Sequence, residues 1–393
     1  MSLFEPTSIA VVGASATEGK VGHDILNNLL TQGYSGSIYP INPKHDEILG
    51  TKAYKSVKDI NEDIDLAIVV VPANIVPNVL EECVDKSIQN VVIISAGFSE
   101  TGTEEGKQLE EQIVKIATSP TPNAQRPIPN LIGPNCLGLI RPKIKMNASF
   151  AKELPPEGGI ALVSQSGAMT VGMMDAAEQV GIGFSLIASI GNKTTMDECD
   201  LLKLCSEDES TTVIGLYLES ISDGKKFLET ARAITPRKPI VLLKAGVSEH
   251  GKKAAASHTG ALAGTDAAID AVCAQAGIHR AITMEHCFDL LEVLTTQPHL
   301  LSSNIAIITN AGGPGILATD AAEIVRLHLP TLEPRTEDPL NKALPKAANT
   351  GNPIDVIGDA TTDRYIAALQ AVGDDSNIDG VCVLLTPQVM TPV

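Results

Sequence analysis

Short runs rich in Val and Ile recur along this chain, each closing on Gly, Pro, Asn or Ser, and most are followed by a stretch of helix length. This alternation constrains the fold more than any other feature. Strands covered by helices on both faces read as continuous apolar runs, whereas half-exposed strands alternate. The first series is Ser8–Val12, Ser37–Ile41, Leu66–Val71, Val91–Ser95 and Leu131–Ile132, with helices expected over Gly22–Gly33, Ile75–Ser87 and Glu104–Thr118. The second is Ile160–Ser164, Phe184–Ile187, Val213–Glu219 and Pro239–Lys244, with helices expected over Ala168–Val180, Met196–Cys205, Lys225–Ile234 and Thr265–Gln275. A third opens with Asn304–Thr309 and shows Gly380–Leu385 before the chain stops, which suggests a truncated or longer natural chain. Pro120–Pro129 reads as a surface turn and Pro142–Gly159 as a linker.

A length of 393 residues exceeds one ordinary core and predicts two or three domains. Aromatics are only 3% and Trp is absent, so the cores must be built from Val, Ile, Leu and Ala. The formal charge of −18 repels phosphate backbones, and no local basic patch offsets it, so no nucleic-acid partner is expected. A phosphorylated ligand must then be held by backbone N–H groups, helix N-termini and a few placed lysines. Seven cysteines without a CxxC fit neither a zinc site nor a disulfide framework, so no metal site and a reduced, cytoplasmic setting are expected. No signal peptide and no run of about 18 apolar residues is present, so no membrane partner is expected.

Val11-Val12-Gly13-Ala14-Ser15 leaves a strand, and Gly19, Val21 and Gly22 lead into a helix, so the loop admits a phosphate at a helix N-terminus. The spacing of Gly13 and Gly19-Lys20, with Val21 where a Ser or Thr is needed, excludes a Walker A loop, and Gly13-Ala14-Ser15 does not match GxGxxG. After the second strand stands Ile41-Asn42-Pro43-Lys44, where NAD-binding folds place an acid. A lysine there favours a nucleotide with a ribose phosphate, as in coenzyme A; an NADP site would carry the same feature.

These residues, with Val71-Pro72-Ala73, Ser95-Ala96-Gly97-Phe98-Ser99 and Gly133-Pro134-Asn135-Cys136-Leu137-Gly138, resemble the CoA-binding domain of NDP-forming acyl-CoA synthetases, the superfamily of succinyl-CoA synthetase. The resemblance runs through essentially the whole chain. It implies that Gly13, Ala14, Ser15, Lys44, Val71, Pro72, Ser95, Gly97, Pro134 and Asn135 bind CoA. Cys136 is read as a small buried hydrophobe without a catalytic role.

Ala254–Gly264 surrounds His258 with small residues and is similar to the family's phosphohistidine loop, which makes His258 the phosphorylated residue. Imidazole suits that task because it is neutral and nucleophilic near neutral pH. Glu219 matches the family glutamate that fixes the other ring nitrogen. Ser164-Gln165-Ser166-Gly167 follows a strand and opens a helix, an anion cradle that ordinary N-capping would produce equally well. Asn310-Ala311-Gly312-Gly313 repeats the arrangement and resembles the matching loop of the family's next domain. Gly351-Asn352-Pro353-Ile354-Asp355 also matches that domain, without an assignable chemical role.

The resemblance implies an α/β fold. It comprises a Rossmann-like CoA-binding domain (1–143), a flavodoxin-like ligase domain carrying the phosphohistidine loop (144–299) and an incomplete flavodoxin-like third domain (300–393). It also implies an acid-thiol ligase acting on a small carboxylic acid or its acyl-CoA with coenzyme A and phosphate. ADP or ATP with Mg2+ would bind only an ATP-grasp domain or subunit, which is missing here. An oligomer is expected. Two other classes stand beside this one. A CoA-sensing module of a protein acetyltransferase-like protein is disfavoured by the presence of His258. An NADP-dependent oxidoreductase leaves the His258 string and the loops at Ser164 and Asn310 unexplained.

Overall fold

The computed structural model describes residues 3–119, 129–248, 250–251, 265–298 and 300–388. The chain divides into two compact units, Met1–Gln297 and Pro298–Val393.

The first unit opens with β1 (Ser8–Val12), α1 (Val21–Thr31), β2 (Ser37–Ile41) and a small antiparallel hairpin of β3 (Glu47–Ile48) and β4 (Thr51–Lys52). It continues through β5 (Leu66–Val69), α2 (Val76–Asp85), β6 (Asn90–Ile93), α3 (Glu104–Thr118) and β7 (Asn130–Ile132). The strands form a parallel sheet in the order β2-β1-β5-β6-β7. Every residue of β1, β5 and β6 is buried, as the unbroken apolar runs require. The chain winds from β1 to β2 on one side and crosses to β5 on the other. A crevice therefore opens between β1 and β5 at their carboxyl ends, the place where such sheets bind ligands.

Two antiparallel strands follow, β8 (Gly138–Arg141) and β9 (Met146–Ser149), then β10 (Glu157–Ser164), α4 (Gly167–Val180), β11 (Phe184–Ser189), α5 (Glu198–Glu207) and β12 (Val213–Leu218). After α6 (Gly224–Ile234) and β13 (Ile240–Lys244) come α7 (Asp266–Ala276), β14 (His279–Ala281) and α8 (Met284–Thr296). The sheet order is β14-β13-β12-β10-β11-β8-β9, parallel except at β11–β8 and β8–β9. Its crossover places a second crevice between β10 and β12. Local signals explain the helices: in α6, Phe227, Ala231 and Ile234 share one buried face, and Asp223 Oδ1 caps the start by accepting from the N–H groups of Lys225 and Lys226.

The stretch expected as a linker, Pro142–Gly159, instead contributes β9 and the start of β10. Met146-Asn147-Ala148-Ser149 lacks an apolar run, yet all four residues are buried. Asn28 Nδ2 of α1 donates to Ser149 O at 2.9 Å and to Ala151 O at 2.8 Å, and Asn147 Nδ2 donates to Gln32 Oε1 at 3.0 Å. Partners more than a hundred residues away satisfy this strand, so no local pattern announces it.

The second unit has a parallel sheet, β16 (Ile354–Asp355), β15 (Ile305–Thr309) and β17 (Gly380–Leu384) in spatial order, with α9 (Gly312–Ile324), α10 (Pro334–Ala343) and α11 (Thr362–Gly373).

Candidate functional site

In the first sheet, loops from all five strands meet at the carboxyl end. Gly13 has φ of +95°, and a Cβ on it would stand 2.3 Å from Val70 O, so the loop after β1 lies against the loop after β5 only because the residue is glycine. Asn42 Nδ2 donates to Ala14 O at 2.8 Å, tying in the end of β2, and Lys44 follows as an exposed residue. Ser95 Oγ donates to Val71 O at 2.6 Å, and Asn135 N, in a left-handed residue, donates to Ser95 O at 3.0 Å. Gly13, Ala14, Ser15, Val71, Pro72, Ser95, Gly97, Pro134 and Asn135 are thus gathered at one edge. No side chain caps the N-terminus of α1, where Lys20 is the N-cap. These groups fit an anionic nucleotide: backbone donors, a helix start and a lysine in an acidic protein.

In the second sheet, Ser164 ends β10 fully buried, its Oγ donating to Ser166 O at 2.9 Å and accepting from Ser166 N at 3.3 Å. Ser166 caps α4 by accepting from Met169 N. Gln165 reaches across to the end of β12. Its Oε1 accepts from the N–H of Glu219 at 2.9 Å and of Ser220 at 3.0 Å, and its Nε2 donates to Ser220 Oγ at 3.1 Å. The Ser164–Gly167 loop and Glu219 therefore flank the second crevice, with Glu219 only 8% exposed.

Two buried lysines surround Glu219 and Ser220. Lys193 Nζ donates to Ser220 O at 2.9 Å, to Ser220 Oγ at 3.1 Å and to Glu198 Oε2 at 3.0 Å. Lys244, 7% exposed, donates from Nζ to Glu219 O at 2.7 Å. Burial, with a smaller push from the Lys193 charge, holds the Lys244 ammonium below its ordinary value. The two lysines face two carboxylates here, Lys193 paired with Glu198 and Lys244 beside Glu219, so they serve first to hold the Glu219–Ser220 backbone. Sequence reading missed Lys193, Ser220 and Lys244; only the Gly-Asn-Lys turn at 191–193 hinted at special backbone.

His258 lies outside the described residues. In the second unit, the loop after β15 repeats the device at Ser164. Thr309 Oγ1 donates to Ala311 O at 2.9 Å and accepts from Ala311 N at 3.1 Å. Asn310 exchanges two hydrogen bonds of 2.8 Å with the backbone of Thr386. Gly312 and Gly313 open α9, whose N-cap Ala311 offers no side-chain cap.

Three family descriptions match in chain order: CoA binding domain over 7–142, succinyl-CoA ligase like flavodoxin domain over 157–294, and Ligase-CoA domain over 305–393. The alpha subunit of acetate–CoA ligase (ADP-forming) I from Pyrococcus furiosus is 41% identical over 98% of this chain and 82% of its own. The chain belongs to the ADP-forming acetate–CoA ligase family. Within this ligase family, the acetate–CoA ligase (ADP-forming) of Methanocaldococcus jannaschii is 49% identical over 91% of this chain, and the match covers 49% of that protein. The chain spans about half the length of that relative. A solved structure of a family member, the dinucleotide-forming acetyl-coenzyme A synthetase 1 of Ca. Korarchaeum cryptofilum in complex with phosphate and ADP, superposes with a TM-score of 0.92. It is 36% identical over 99% of this chain and 82% of its own.

Among the described residues no helix is long and apolar enough to cross a membrane. Cys136 is buried, and burial pushes its thiol up to about 12, which supports a packing role.

Proposed function

We propose that this chain is the CoA-binding and phosphoryl-carrying part of an ADP-forming acyl-CoA synthetase, divided functionally at 1–143, 144–299 and 300–393. The overall reaction is acyl-CoA + ADP + phosphate ⇌ carboxylate + ATP + CoA. The observation that carries the reading is the pairing, inside one compact unit, of the crevice beside Gly13 in the first sheet with the Gln165-clamped crevice in the second.

Acyl-CoA, when bound, would supply the thioester whose cleavage drives the reaction, with CoA as the leaving thiol. Gly13–Ser15, Lys44, Val71–Pro72, Ser95, Gly97 and Pro134–Asn135 hold and orient it. Inorganic phosphate displaces the thiol from the acyl group, giving an acyl phosphate and free CoA. His258 then takes the phosphoryl group, releasing the carboxylate, and passes it to ADP to form ATP. The Ser164–Gly167 loop stabilises the transferring charge with backbone N–H groups and a helix start, and the Asn310–Gly313 loop offers a phosphate the same kind of groups within its own unit. Glu219 holds the second nitrogen of the imidazole so that the first remains nucleophilic. ADP and Mg2+ require an ATP-grasp subunit or domain, a reading supported by the relative described as a subunit alpha. A cytoplasmic oligomer is the expected form.

The test incubates the chain with an ATP-grasp partner and radiolabelled ATP. An acid-labile, alkali-stable label, absent from His258→Ala while CoA still binds, supports the proposal. No label with a competent partner, while CoA binds, overturns it in favour of a CoA-sensing module.

A further inference from the structure

Asn192 and Lys193 are adjacent in the turn after β11, yet their side chains serve different modules of the first unit. The turn lies against the loop after β7: Asn192 N donates to Pro134 O at 3.0 Å, Thr194 Oγ1 donates to Gly133 O at 2.9 Å, and a Cβ on Gly191 would stand 2.1 Å from Pro134 O. Asn192 Nδ2 donates to Glu100 Oε2 and Glu110 Oε2, both at 2.7 Å, which uses both amide hydrogens on carboxylates. Those carboxylates shape the Gly97 loop. Glu100 Oε1 accepts from Gly97 N at 2.6 Å and Phe98 N at 3.1 Å, and Glu110 Oε2 accepts from Ser99 Oγ at 2.7 Å.

Lys193, with φ of +60°, turns its side chain the other way. Its ammonium, on a side chain 5% exposed, holds Ser220, and its partner Glu198 is fully buried and also accepts from Ser222 N at 2.7 Å. One dipeptide therefore joins the donors of Gly97 and Phe98 to the Glu219–Ser222 loop through charge-assisted hydrogen bonds.

A simple staple between modules is found elsewhere. Arg141 bonds Asp208, Glu5 and Ser185 O, at the start of β11, the sheet edge opposite both crevices. The Asn192–Lys193 connection instead runs between the two ligand-facing edges.

We propose that Asn192 and Lys193 are positioning residues that couple occupancy of the Gly97 loop to the geometry of the Glu219–Ser222 loop. The proposal rests on the assignment of the Gly97 loop to CoA. A ligand that rearranges the Gly97 and Phe98 donors shifts Glu100, and the shift reaches Ser220 through Asn192 and Lys193. By linkage, fixing the Glu219–Ser222 loop changes CoA affinity by the same factor.

The test is hydrogen–deuterium exchange on the full chain with and without CoA, alongside calorimetric CoA binding. CoA should slow exchange at Glu219–Ser222 by roughly fivefold or more. Asn192→Ala should still bind CoA but lose that response. The double variant Lys193→Met/Glu198→Gln cuts the other limb without leaving a buried carboxylate unpaired, and should lose the response as well. A purely structural role would shift stability and leave the CoA-dependent difference intact. CoA binding with no change at Glu219–Ser222 in the unaltered chain, or a response retained in either variant, overturns the coupling alone. Absence of CoA binding to the unaltered chain overturns the ligand assignment and the coupling with it.

Discussion

Gln165 and Ser220 are joined in both directions: the Gln165 side-chain oxygen accepts the Ser220 backbone N–H at 3.0 Å, and its nitrogen donates to Ser220 Oγ at 3.1 Å. With the bond from Glu219 N, one side chain satisfies two backbone donors at the end of a neighbouring strand. Asn310 in the second unit also bonds in both directions, but to backbone alone: it accepts from Thr386 N and donates to Thr386 O. Gln165→Leu would leave those donors without an acceptor. A stability loss of about 1–3 kcal/mol is expected in urea titrations. Phosphoryl labelling of the chain should fall, while CoA affinity is affected far less.

Two glycines in the first loop should respond differently to the same methyl group. At Gly13 an added Cβ meets Val70 O at 2.3 Å, so Gly13→Ala must displace the loop and abolish CoA binding. Gly19 also has positive φ, +78°, but open space around it. Gly19→Ala should cost only about 1 kcal/mol and leave the loop where it is. Calorimetry with CoA and denaturation curves on both variants check the contrast.

Arg141 is 1% exposed and bonds both carboxylate oxygens of Asp208 at 2.8 Å. Arg141→Met should cost about 3–5 kcal/mol, because it strands a partly buried carboxylate. The pair also predicts an acid limit. Burial pushes the Asp208 carboxyl up, but hydrogen bonds from Arg141 and Thr211 and the Arg141 charge outweigh it, leaving the group below its ordinary range. The unfolded chain therefore binds the extra proton first. This contribution is complete above about pH 4 and is lost as pH falls through the folded value. Urea midpoints from about pH 6 to about pH 3 should drop in the unaltered chain and less steeply in Arg141→Met.

Six of the seven cysteines are buried, and Cys382 in β17 is partly exposed. Burial pushes the thiols of Cys83, Cys136, Cys199, Cys205 and Cys287 up to about 12, and that of Cys273 to about 11. A thiol reagent at about pH 8 should therefore modify one cysteine rapidly in the native chain, and the rest only after denaturation. Rapid reaction of Cys136 would contradict its packing role.

The parallel sheets were legible because their central strands, β1, β5 and β6, are buried on both faces. Ser8–Val12 and Ser37–Ile41 were read to the residue, since Gly, Pro, Asn or Ser ends each apolar run. β9 was illegible because its buried Asn147 and Ser149 are satisfied through α1. Helix α8 was overlooked even though Thr283 caps it by accepting from His286 N. The loops at Gly13, Ser164 and Asn310 are built from small residues that close a strand and open a helix, a pattern visible in the sequence. The side chains that hold them in place are not: Asn42, Lys193 and Ser220 act across intervals of 27 residues or more.

The seam where Asn28 of α1 grips the backbone of β9 bears on how matter moves through this protein. Helix α1 belongs to the first sheet and β9 to the second, and both fall in the single unit Met1–Gln297. A hinge between the two sheets would have to break bonds buried on both sides. These bonds therefore set the spacing between the two crevices when the chain folds. On the proposed reaction, a group made in one crevice and used in another would travel as a passenger or as a diffusing intermediate, since bonds buried in the seam oppose closure of the walls.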